Sequence, residues 1–221
     1  MSRGIVTVLL ATAFANSAAA HFVFLLPPTD GKTATAVFSD TPAKDEKVET
    51  GKIEFKSAQV ISPSGKATTV SVEPMSGGWR IPVTDDIAEV RTTVEYGVVN
   101  RGEGHVIRIR HHARLILGDT ADGKPASAFD IAPVTVSSGT AFRVTFDGKP
   151  VAGADVTVHE PGADGMKVLK TDPDGMTPAF AKPGQYSARA MNVDKTPGEF
   201  EGRKYGTTHN YATVTVTVVT K

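Results

Sequence analysis

From residue 22 onward apolar and polar residues alternate with a period of two, and Gly, Pro and Asp cut the runs before a helical period can build up. That alternation admits little besides half-buried strands. It predicts strands over 22–26, 33–38, 52–61, 68–73, 79–83, 90–99 and 106–117. A second series is expected over 129–136, 141–146, 154–159, 167–171, 177–180, 186–193 and 211–219. Between them "GDTADGKPAS", residues 118 to 127, is rich in turn formers and lacks bulky apolar side chains. The expectation is an all-β chain of two β-sandwich domains, 21–120 and 126–221, the second immunoglobulin-like.

The first twenty residues follow a different pattern. Arg3 precedes an apolar stretch from Gly4 to Phe14, and Ser17, Ala18, Ala19 and Ala20 follow it. A charged start, a short apolar run and small residues describe a secretory signal peptide, and the run is shorter than a membrane-spanning helix requires. Cleavage after Ala20 makes His21 the mature amino terminus; cleavage after Ala19 is the competing site. The expected location is secreted or periplasmic, with no later segment long and apolar enough to cross a membrane.

The chain has 221 residues and 24 basic against 24 acidic side chains, and it has no cysteine. Balanced charge without a basic patch argues against nucleic acid as a partner. Without cysteine, a metal site must be built from nitrogen and oxygen ligands.

Enzyme motifs fail on inspection. "GKT" at 31–33 has Leu26 where the phosphate-binding loop needs Gly, and "DPDG" at 172–175 lacks the later acidic ligands of a calcium loop. No His-Glu-x-x-His pair, Gly-x-Ser-x-Gly elbow or cysteine nucleophile occurs, and no catalytic residue is assigned. The single tryptophan, Trp79, reads as a core anchor rather than a sugar-stacking platform.

The six histidines then carry the functional question. As a mature terminus, His21 offers its α-amine and ring Nδ1 to one ion. A further imidazole would give a planar nitrogen set, which favours Cu(II), with Ni(II) as the alternative. His209 is the preferred partner, read as standing where a polar loop enters the last strand beside Tyr205 and Tyr211. His111 ranks next, because alternation puts it with Ile107 and Ile109 on the apolar face of "HVIRIRHHARLIL". His105 follows; His112 is expected among solvated arginines, and His159 reads as structural. The expected metal ligands are therefore His21, His209 and His111.

Two resemblances bear on these expectations. "FDGKPVAGADVTVHEPGADGMKVLKTDPDGMTPAFAKPGQYSARA", residues 146 to 190, resembles the immunoglobulin-like or transthyretin-like modules of exported bacterial proteins. "AHFVFLLP", "EYGVVNRGEG", "ILGD" and "GEFEGRKYGTTHNYATVTV" resemble the DUF4198 family of exported proteins, often labelled substrate-binding parts of nickel or cobalt uptake systems. That resemblance implies metal handling beside a membrane transporter component, and carries over no catalytic residue. A metal-free structural or carbohydrate-binding role in the cell envelope is the alternative, and an oxygen-activating copper oxidase a third.

Overall fold

The computed structural model describes residues 21–47, 51, 53–118 and 123–219. The leader assigned to residues 1–20 and the centre of the connecting segment, 119–122, lie outside the described residues. The first half contributes β1 (Phe22–Leu26), β2 (Thr33–Ser39), β3 (Ser57–Ile61), β4 (Ala67–Ser71), β5 (Glu73–Met75), β6 (Gly78–Pro82), β7 (Glu89–Asn100) and β8 (Val106–Ile116). The second contributes β9 (Phe129–Val136), β10 (Gly139–Phe146), β11 (Lys149–Pro150), β12 (Asp155–His159), β13 (Met166–Lys170), β14 (Gly184–Asp194), β15 (Gly198–Phe200), β16 (Arg203–Tyr205) and β17 (Thr207–Val218). The fold is all-β, built of packed sheets.

One eight-stranded sheet runs through both halves in the order β13-β12-β14-β17-β8-β7-β3-β4. Its middle is the parallel pairing of β17 with β8, from Thr207 opposite Ile107 to Val216 opposite Ile116. The two strand series meet in this sheet, and each half packs a smaller sheet of its own against it, as the expected β-sandwich architecture requires. Both β8 and β17 are long and largely buried on both faces, as parallel pairing in the middle of a sheet requires.

Alternation along β8 and β17 decides what covers each face. Ala113 and Leu115 pack with Val23, Leu25, Trp79 and Ile81, so the four-stranded sheet β1-β2-β6-β5 lies over that face. Val214, Val216 and Ile116 point the other way and pack with Phe129, Ile131 and Phe142 of the sheet β11-β10-β9. The central sheet is thus covered on one face in its first half and on the opposite face in its second. Trp79 is buried against Phe55, as a core anchor.

Two contacts lock these layers. Thr213 Oγ1 donates to the Val23 carbonyl at 2.6 Å, tying β1 across β17. Buried Arg114 donates to both oxygens of Glu89 and, at 2.8 Å, to Asp130 on β9.

The observed strands depart from the expected ones in two instructive places. Over 177–180 there is no strand, only bridges such as Thr140 with Phe180, because Pro178 removes a ladder donor. The polar "GEFEGRKYGTTHN" stretch forms a hairpin, β15 with β16, and then enters β17 four residues earlier than expected.

Candidate functional site

His21 stands immediately before β1, and β1 packs over the β17–β8 junction. His21 is half-buried, its ring 5.3 Å from that of Phe38 in β2. Its Nδ1 lies 3.2 Å from Asp40 Oδ1. Below it, β8 presents His111 on the face shared with Ile107, Ile109 and Ala113. The His111 ring stacks on Tyr211 at 5.0 Å and 19°, and meets the edges of Phe38 at 5.4 Å and Tyr96 at 6.4 Å.

His111 is 2% exposed, and neither of its ring nitrogens has a hydrogen-bond partner. Burial, and secondarily His112, pushes its pKa down to about 3, so the imidazole is neutral under all ordinary conditions. A buried polar group without a partner costs about 1–3 kcal/mol. A neutral imidazole with a free lone pair is also the form that binds metals.

Tyr96 reaches this place through a β-bulge. The pairing of β7 with β8 shifts between Glu95 opposite Arg110 and Gly97 opposite Ile109, leaving Tyr96 as the extra residue. Gly97 has φ of 99°, which L side chains rarely adopt, so glycine permits the backbone turn of the bulge.

These groups enclose a cavity of about 200 Å³ lined by His21, His111, Arg101 and the rings of Phe38, Tyr96 and Tyr211. A larger hollow of about 260 Å³ opens elsewhere, lined by Gln59, Arg91, Arg114 and hydroxyl side chains. Its arginines are already engaged, Arg91 with Gln59 and Arg114 with Glu89 and Asp130. His111, which carries two unpartnered ring nitrogens, lines the smaller cavity.

Of the three expected ligands, His21 and His111 line this cavity together. His209 does not line it. It is the third residue of β17 rather than a loop-to-strand junction, paired with Val193 and Ile109, and its ring is 6.5 Å from Tyr211. Burial, then Arg101, lowers its pKa. His105 is exposed in the turn before β8. His159 is half-buried, edge-on to Phe24 at 6.3 Å.

His112 differs from its expected solvated position. It is 3% exposed, lies 3.0 Å from Thr93 Oγ1 and 3.4 Å from Asn210 Oδ1, and burial followed by Arg110 lowers its pKa to about 4. Of the arginines on its face, Arg108 and Arg110 are half-buried and pair with Glu95, and Arg114 is buried. Opposite His112, however, stands Ala212, which belongs to the second core. That core's margin covers the histidine.

Among the described residues, no group of three or more His, Asp or Glu side chains converges in a way that could hold a metal ion. Two imidazoles, His21 and His111, line the cavity. Sequence reasoning missed Phe38, Tyr96, Arg101 and Asp40. Only Tyr96 had a local signal, the glycine following it inside a strand pattern.

No family model matches the chain, and no curated protein does. Two solved structures show distant likeness. One concerns host cell surface retention of a 1.5-MDa bacterial ice-binding adhesin, 14% identical over 91% of this chain, TM-score 0.29. This chain spans 64% of that structure's length. The other is a two-domain fibronectin type-III segment from chicken tenascin, 14% identical, covering 86% of this chain and 97% of that one, TM-score 0.24. Neither likeness bears on function, which is read from the cavity.

Proposed function

We propose that this is an exported metal-binding protein that holds copper, or alternatively nickel, between His21 and His111 for uptake, delivery or sequestration beside a membrane transporter component. The observation that carries this is His111, buried, neutral and with both nitrogens unpartnered, which lines one cavity together with His21. A purely structural imidazole is ordinarily hydrogen-bonded. The cavity's aromatic walls would keep competing water from the ion. The resemblance to DUF4198 supports the same reading, and His209 stands outside the first set of donors.

His21 can serve in two ways. Cleavage before it frees an α-amine, and amine plus Nδ1 would chelate one ion. The Nδ1 that this chelate needs is the nitrogen beside Asp40. If Asp40 holds an N–H there, as carboxylates do behind metal-bound histidines, Nε2 is left for the ion.

Calorimetric titration with Cu(II) tests the proposal. The mature chain should bind one equivalent. His21→Ala and His111→Phe should each weaken binding at least tenfold to a hundredfold, while His105→Ala leaves it unchanged; a wild-type loss is already of this size for outer partners of metal ligands. A form extended by one alanine before His21 separates the two modes, since it keeps Nε2 binding and loses amine chelation. No bound copper, or equal binding by His111→Phe, would overturn the proposal.

A further inference from the structure

We propose that the ligand of the His21–His111 cavity is a metal ion already held by a small carboxylate chelator, with Arg101 binding the chelator's carboxylate. This deepens the metal-binding reading and rests on it. Three independent features lead there.

The first is the number of donors. Two imidazoles line the cavity, and no third His, Asp or Glu side chain completes a set among the described residues. Cu(II) and Ni(II) favour tetragonal or planar surroundings with four strong positions. Even with the α-amine of His21, at least one position stays open to an outside donor.

The second is room. A cavity of about 200 Å³ is larger than the ~150 Å³ engineered cavity that takes up benzene. An ion of atomic size needs far less, whereas a dicarboxylate of a few carbons fits that space. The rings of Phe38, Tyr96 and Tyr211 supply flat walls for such a planar chelate ring.

The third is charge. Arg101 lines the cavity and takes part in none of the ion pairs among the described residues. A guanidinium repels an approaching bare dication. It attracts a carboxylate, to which it offers paired N–H donors. A metal-bound carboxylate coordinates through one oxygen and keeps the other free to accept from Arg101. The dication and a dianionic chelator together are neutral, so the complex enters an aromatic cavity at smaller desolvation cost than the free ion.

Equilibrium dialysis of the mature chain against radiolabelled malonate, with and without Cu(II), tests the inference. The wild type should retain malonate and copper one to one, and retain no malonate when copper is absent. Arg101→Gln, at an exposed position, should fold normally and lose malonate retention at least tenfold. For the wild type dialysed against copper and malonate together, copper held with no malonate, or copper stripped from the protein by malonate, would overturn the inference alone, as would unchanged malonate retention in Arg101→Gln. Copper retained in neither buffer would overturn the metal-binding reading and this inference together.

Discussion

Residue scale is where the site shows its cost. His111 carries two unpartnered nitrogens in a setting where a hydrocarbon ring would have none. His111→Phe should therefore raise the stability of the metal-free protein, by about 1 kcal/mol, while abolishing metal binding. Urea unfolding of the two proteins without metal measures this, and a marked destabilisation would show that the imidazole is a packing residue in its own right. The same burial makes stability depend on pH. His111 and His112 have folded pKa values of about 3 and about 4, below the ordinary 6.5, so the unfolded chain takes up protons that the folded chain refuses. Their stabilising contribution is complete above pH 6.5 and is lost as pH falls through 6.5 toward 4 and then 3. Each histidine contributes a slope of about 1.4 kcal/mol per pH unit, or a few kcal/mol over the window. Unfolding of the metal-free chain at pH 7, 5.5 and 4.5 should show a steady loss, in a range where most carboxylates have not yet titrated. A flat profile there would contradict it.

At the scale of elements, the β7 bulge and the placement of β1 build the cavity. The bulge puts Tyr96 on the same face as His111, and Gly97 supplies the backbone conformation that permits it. A Cβ at Gly97 meets open space, so substitution there acts through φ rather than through a clash. Gly97→Ala should cost about 1–2 kcal/mol and weaken copper binding by displacing Tyr96. Thermal unfolding and titration of one variant read both effects; unchanged copper affinity would mean that Tyr96 plays no part. The alternation in β1, β9 and β17 was legible because period-two patterning is a local consequence of the pleat. The β15–β16 hairpin was not, since its residues are mostly polar and its aromatic rings pack against Arg108 of a distant strand. That guanidinium lies 4.4 Å over the Phe200 ring and 5.9 Å over Tyr205.

For the whole molecule, one sheet shared by both halves means that neither is complete alone. β8 without β17 exposes an apolar edge, and Arg114 without Asp130 leaves a buried charge short of a partner. Calorimetry should show one cooperative transition, with calorimetric and van't Hoff enthalpies equal. Asp130→Ala should lower stability by about 3–5 kcal/mol, the usual consequence of stranding one member of a buried ion pair. Two resolved transitions would show independent domains. The sequence by itself determined the all-β class, most strand positions, the burial of Trp79 and the candidacy of His21 and His111. All of these follow from residue type and alternation within a few neighbours. Only the tertiary structure decided that β17 lies parallel to β8, that His112 is covered, and that His111 rather than His209 shares a cavity with His21. Those outcomes depend on which of two similar faces each sheet covers. Contacts such as Thr213 with Val23, 190 residues apart, set that choice, and no local pattern encodes it.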